Sequence, residues 1–287
     1  DLDGLSAEGG YGLETTIYQG QVTLDGFKSA RIDPWLQIVK AGTKGAYALS
    51  GTWRGSGSVE GGRHTGTLDL ADAEVVREEV PPVHAKGEIT YDWPEGFQTQ
   101  GLAVRAAGQS VAADLKLADG FLEMSNLLWS DEGEEMAAGA ARLPVPEDFA
   151  KWRAILAGDE RPLEVSIQSK RLALTHLKDW VPAMEKLDPK STGQIDLRVE
   201  GTYAKPVVHA VVDTSGLRSP GMPELPPAQL KVTVACRENH AAVVGSLTTP
   251  DFPPAVFSAS MPFRPAEWAE KPGQILEEDI TARLDLP

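Results

Sequence analysis

The chain has 287 residues, 41 % hydrophobic and 24 % charged, an ordinary globular balance with room for one large or two ordinary domains. Its net charge of −15 argues against nucleic acid, whose binding rests on Lys and Arg neutralising phosphates, and against docking on an anionic membrane face. The single cysteine rules out an intrachain disulfide, and no stretch approaches the ~18–20 apolar residues of a spanning helix.

The first residues, Asp1-Leu2-Asp3-Gly4-Leu5, carry no basic region followed by an apolar one, so no signal peptide is read. The last, Ala282-Arg283-Leu284-Asp285-Leu286-Pro287, stop in mid-alternation. Both ends read as cuts, as in a segment of a longer protein whose targeting region lies outside it.

Three short helices are expected. The first runs from Ile32 to Gly42, with Asp33 as N-cap, Pro34 at the first helical position and Gly42 as stop. The second runs from Pro146 to Gly158, with Phe149, Trp152, Ile155 and Leu156 on one stripe. The third runs from Thr175 to Leu187, with Leu177, Trp180, Val181, Met184 and Leu187 on one stripe and a break at Pro182. Each would cap an open end or edge of a sheet.

Elsewhere the pattern alternates with period 2. It is seen in Ile89 to Trp93, Val111 to Leu117, Leu163 to Ile167, Ile195 to Val199 and Leu230 to Val234. In Gln194-Ile195-Asp196-Leu197-Arg198-Val199-Glu200 every second residue is apolar and the others are polar or charged. Such a strand has one dry and one wet face, as antiparallel sheets do. The 28 glycines and 21 prolines punctuate these runs at short spacing. The fold class expected is therefore all-β and mainly antiparallel.

The chain also repeats itself. Gly51-Thr52-Trp53 and Gly201-Thr202-Tyr203 each close an alternating run. Around them the same order recurs: a helix with a buried Trp, a Gly-started strand, a Pro-Pro element (Pro81-Pro82, then Pro226-Pro227) and a proline-rich segment with an aromatic. Two units follow, residues 1–160 and 161–287, with the two Gly-Thr dipeptides at equivalent strand ends.

Motifs for chemistry are missing. There is no phosphate-binding loop, no His-Glu-x-x-His, no nucleophile elbow and no EF-hand loop. The five histidines are scattered singly. Gly55-Ser56-Gly57-Ser58-Val59-Glu60-Gly61-Gly62 lacks the Lys and the strand-to-helix context of a phosphate cradle and reads as a flexible hairpin. Asp131-Glu132-Gly133-Glu134-Glu135 reads as a solvated acidic loop. Cys236 is in phase with Leu230, Val232 and Val234, as a buried small hydrophobe would be. The chain is expected not to be an enzyme, and no cofactor or metal is assigned.

The dry phase of the strands is the candidate functional surface. It comprises Ile89, Tyr91, Leu115 and Leu117 in the first unit. In the second it comprises Val165, Ile167, Ile195, Leu197, Val199, Leu230, Val232 and Val234. Glu88, Asp92, Asp114, Lys116, Asp196, Arg198, Glu200 and Lys231 should face water, and a one-residue slip would invert the assignment.

The stretch from Leu163 to Leu286 resembles the TamB and AsmA-like envelope proteins, the bacterial bridge-like lipid-transfer family. The resemblance is carried by Leu174-Thr175-His176-Leu177-Lys178-Asp179-Trp180, by Gly193 to Tyr203 and by Lys205-Pro206-Val207-Val208-His209-Ala210. Val243 to Leu247 and Met261-Pro262 resemble the family's later strands. In residues 1–160 the Pro expected after Gly-Thr-aromatic is replaced by Arg54-Gly55. The resemblance implies an elongated, curved β-sheet trough (β-taco-like repeats) in the periplasm. The parent chain would be anchored by an N-terminal transmembrane helix and would meet an outer-membrane barrel protein. The expected function is an apolar groove for phospholipid acyl chains, moving lipid between membranes or assisting outer-membrane assembly. The alternative is a structural or adhesive β-repeat module with a closed core and no ligand.

Overall fold

The structure, a computed structural model, describes residues 5–13, 16–28, 46–77, 80–146, 159–177, 187–218, 226–270, 273, 275 and 278–286. It is all-β and antiparallel, with strand making up 75 % of the described residues and almost no helix. The chain divides into two compact units, Asp1–Glu134 and Glu135–Pro287. This division precedes the sequence-derived boundary at 160/161 because the strand after Glu134 pairs forward with Leu163–Ser169.

Among the described residues the first unit is a meander of eight strands. They are β1 (Leu5–Tyr11), β2 (Ile17–Lys28), β3 (Ala46–Ser58), β4 (Arg63–Arg77), β5 (Val80–Trp93), β6 (Gly96–Ala106), β7 (Gln109–Ala118) and β8 (Phe121–Asp131). Each pairs antiparallel with the next. The β7–β8 turn is Asp119-Gly120 with φ of 52° and 73°. Asp-Gly suits a two-residue turn whose twist matches that of the strands.

A seam of register shifts crosses this unit, at least one in each pairing from β2–β3 to β7–β8 and two in β4–β5. An extra residue bends a strand and raises its twist. Asp114 organises part of the seam. Its carboxylate accepts from the Gly101 amide at 2.7 Å and from Asn126 Nδ2 at 2.7 Å. Those two hydrogen bonds, the backbone one first, hold its pKa below the usual carboxylate range.

The second unit contains β9 (Glu134–Pro144), β10 (Leu163–Ser169), β11 (Leu172–Ala173), β12 (Thr192–Gly201), β13 (Pro206–Ser215), β14 (Gln229–Arg237), β15 (His240–Thr249), β16 (Phe252–Pro262) and β17 (Thr281–Asp285). Strand β12 pairs with β10 and then β11, and the rest is again a meander. Among its described residues the one register shift lies between Leu247 and Thr249. A short helix α1 (Pro265–Glu270) starts on a proline, whose missing N–H is unused at that position. The Trp268 ring packs edge-on against Phe263 with centroids 5.4 Å apart.

Two expectations are affected. The helix expected over 32–42 lies outside the described residues, as does that over 146–158 apart from Pro146. The third starts as a 3₁₀ turn, Leu174–Leu177, beyond which 178–186 lie outside. The equivalence of the two Gly-Thr dipeptides does not hold. Gly51-Thr52 is interior to β3 at the bulge seam, whereas Gly201 ends β12 and Thr202 begins the turn. The glycines serve different needs. A Cβ on Gly51 would stand 2.5 Å from the Asp69 carbonyl oxygen, while Gly201 adopts a φ of 96° that L side chains rarely take.

Candidate functional site: the apolar sheet faces

Paired residues in an antiparallel ladder share a face, so the register alone sorts the side chains. In the second unit one row runs Gly139, Ile167, Leu197, Ala210, Val234, Val243, Ala259 and Ala282. It crosses eight strands without a polar residue. The next row holds Ala141, Val165, Val199, Val208, Cys236, Ala241 and Met261. On the other side lies Ile195, in register with Val212, and through it Val232, Gly245 and Phe257. Leu230 pairs with Leu247 on the same face. The register thus brings together all eight residues singled out in this unit.

The face is not sealed. Val165, Ile167, Leu197, Val199, Leu230, Val232 and Val234 are half-buried, and Ile195 is exposed. In a two-sheet sandwich the inward phase of the strands would be buried by the facing sheet. Among the described residues, the buried apolar side chains of this unit instead gather toward the strand ends. Val145 and Leu163 lie at one end, with Ala141 and Cys236 in the face row just inside it, and Met136, Ala137, Leu172 and Leu174 lie at the other. At the first end Tyr203 donates to the Pro144 carbonyl at 3.1 Å, and Arg161 donates to the Val145 carbonyl at 3.2 Å. Burial raises the Tyr203 pKa, helped by the nearby Asp159 charge. At the other end Ser191, fully buried, donates to the Gly216 carbonyl at 2.9 Å. Cys236 is buried within the face, and burial pushes its thiol pKa up.

The opposite face is mixed. Ser166, Arg198 and His209 share one row with Ala140, Ala235 and Ala242, and Gln168 and Asp196 share the next with Ala138, Val211 and Val244, Gln168 Nε2 donating to Asp196 at 3.1 Å. Arg198, Glu200 and Lys231 are exposed, and Asp196 is half-buried beside Arg198 at 3.6 Å.

In the first unit Ile89, Tyr91, Leu115 and Leu117 also share one face and are half-buried. Ile89 is in the row Ala7, Val22, Trp53, Leu68, Ile89. Tyr91 and Leu117 follow a row of four glycines, Gly9, Gly20, Gly55 and Gly66, and are joined by Phe97 and Leu122. The Trp53 and Tyr91 rings occupy the space those glycines leave. Glu88 and Lys116 are exposed on the other face. Asp92 and Asp114 are half-buried there, Asp92 beside Arg63 at 3.5 Å.

That other face holds a recess the sequence did not announce. An open groove of about 1000 Å³ crosses β1 to β5 and is lined by Gln19, Gln21, Arg54, Ser56, Thr65 and Thr67, with Glu8, Thr90 and Asp92 beside them. A smaller recess of about 230 Å³ continues it over Gln98 and Lys116. Arg54 Nε donates to Gln21 Oε1 at 2.8 Å within the groove. The signal was available in the sequence: the residues alternating with the glycine row are nearly all polar.

Among the described residues no group of three or more His, Cys, Asp or Glu is placed to hold a metal ion. His84, with Asp72 at 3.2 Å and Glu74 at 3.9 Å, is an exposed pairing of neighbouring strands. No helix among the described residues is long and apolar enough to cross a membrane. No family model, no curated protein and no solved structure matches this chain.

Proposed function

We propose that the chain is a non-enzymatic envelope segment whose second unit offers its apolar sheet face to phospholipid acyl chains. The observation that carries the reading is the eight-strand apolar row from Gly139 to Ala282, set in a face whose side chains remain half-buried. Contiguous apolar surface of this kind marks a ligand or interaction site. The resemblance of Leu163 to Leu286 to lipid-transfer proteins of the envelope supports the same ligand and a periplasmic setting. A curved trough is the shape in which this face would enclose a chain.

The mechanism is solvation. Each methylene withdrawn from water contributes about 0.8 kcal/mol, so a handful of chain carbons gives a useful and reversible hold. Small residues (Gly139, Ala210, Ala259, Ala282) interleave with branched ones along the row. A lipid would slide over such a surface without a deep trap, and no step of bond making is required.

The test is mass spectrometry of organic extracts of the purified chain, with Leu197→Asp alongside. On an open face water reaches the new carboxylate, so the variant should lose co-purifying phospholipid and keep its melting temperature. A closed core would bury an unpaired charge and unfold the unit. A large fall in melting temperature, or wild-type extracts free of phospholipid, would sink the proposal.

A further inference from the structure

The first unit carries a second apolar feature, at one end of its strands. In this unit, every large apolar side chain that is more than half exposed among the described residues lies at one end, around three successive hairpin tips. Leu13 (86 % exposed) is in the β1–β2 connection, flanked by Tyr11 and Ile17. Val59 (63 %) opens the β3–β4 turn, and Trp93 (56 %) ends β5.

These tips are one surface. The Val59 amide donates to the Thr16 carbonyl at 3.1 Å, tying the first tip to the second. His64 faces Trp93 in register, tying β4 to the third. Just inside the tips the register aligns Tyr11, Tyr18, Gly57, His64 and Trp93 in a single row. Tyr18 Oη and His64 Nδ1 share a 2.7 Å hydrogen bond. Leu13 and Val59 therefore stand outermost at two of the tips, with a band of amphipathic rings, Trp93 at the third tip among them, behind. That order matches the depth profile of a bilayer boundary, where aromatic rings sit at headgroup level and apolar groups go deeper.

Charge selects the kind of surface. Glu60 and Glu95 are exposed within the second and third turns, and the nearby Arg63 is engaged by Asp92 at 3.5 Å. The whole chain carries −15. An anionic surface would be repelled, whereas a zwitterionic one would not.

We propose that the three hairpin tips around Leu13, Val59 and Trp93 form a docking site for the surface of a zwitterionic lipid bilayer. The site uses other residues in another unit than the acyl-chain face, and it stands whether or not that face carries lipid.

Flotation of the full chain with phosphatidylcholine vesicles tests it. The chain should float, as well at 0.5 M salt as at 0.1 M, and less well when anionic lipid is mixed in. The triple variant Leu13→Ser/Val59→Ser/Trp93→Ser should bind vesicles at least tenfold more weakly, while Val244→Ser, an exposed valine of the second unit, should bind normally. If the triple variant fails to fold, Leu13→Ser alone should still weaken binding about threefold, since that side chain packs on little. Failure of the wild-type chain to float would overturn the proposal. So would undiminished flotation of the substituted chain, binding only to anionic vesicles, or a dimer lost in the variant with no flotation. Leu197→Asp separates the two readings: it should float normally even where bound lipid is lost.

Discussion

The Trp53 indole Nε1 donates a 2.7 Å hydrogen bond to the Tyr91 hydroxyl, reaching from β3 to β5 over the glycine of the strand between. A Cβ on Gly66 would stand 2.8 Å from that hydroxyl, and one on Gly55 would stand 2.5 Å from the Trp53 ring. The two glycines are thus the space in which the rings meet. Gly66→Ala should destabilise the chain by about 1–3 kcal/mol through overpacking. Trp53→Phe removes the donor and should cost about 1 kcal/mol more than the lost ring area. Urea unfolding followed at both positions would show this, and a neutral Gly66→Ala would contradict the contact.

A similar fit occurs in the second unit. A Cβ on Gly245 would collide with the Phe257 ring, its cross-strand partner. Gly245→Ala should therefore lower stability by about 1–3 kcal/mol, and most of that loss should vanish in a Phe257→Ala background. Equal losses in both backgrounds would mean that the ring is not what the methyl meets.

Asp159 and Arg161 give a pH dependence of known sign. The guanidinium hydrogen bond, opposed by burial, holds the carboxyl pKa below the usual carboxylate range. A depressed folded pKa means stability present at neutral pH and lost as pH falls below the unfolded value and through the folded one. Asp159→Asn should cost about 1–2 kcal/mol at pH 7, and the gap to wild type should close as the medium is acidified below about pH 4. A gap that stays constant down to pH 2.5 would exclude this ion pair as the source.

Cys236 should be inert in the folded chain. It is buried and its thiol pKa is raised, so little thiolate is both present and accessible. Reaction with a thiol reagent at pH 8 should be at least tenfold slower than in urea-unfolded chain. Labelling at the unfolded rate would show that this face opens far more than the half-buried neighbours indicate.

Much of this protein was written in the period of its strands. Alternation in Gln194 to Glu200 assigns Leu197 and Val199 to one face and Arg198 and Glu200 to the other, because a strand has only two sides. The antiparallel all-β class follows from the same one-sided pattern and from closely spaced glycines and prolines. What local pattern left undecided was everything set by a neighbouring strand. Gly51-Thr52 and Gly201-Thr202 read alike, yet one meets a carbonyl at a bulge and the other makes a left-handed turn. The glycine row, the rings lying over it, the groove on its reverse and the three aligned apolar tips all depend on cross-strand register. Residues such as Gly9, Gly20, Gly55 and Gly66 are far apart along the chain, and only pairing brings them into line. Period determines which face a side chain takes; register, which is a tertiary property, determines what it finds there.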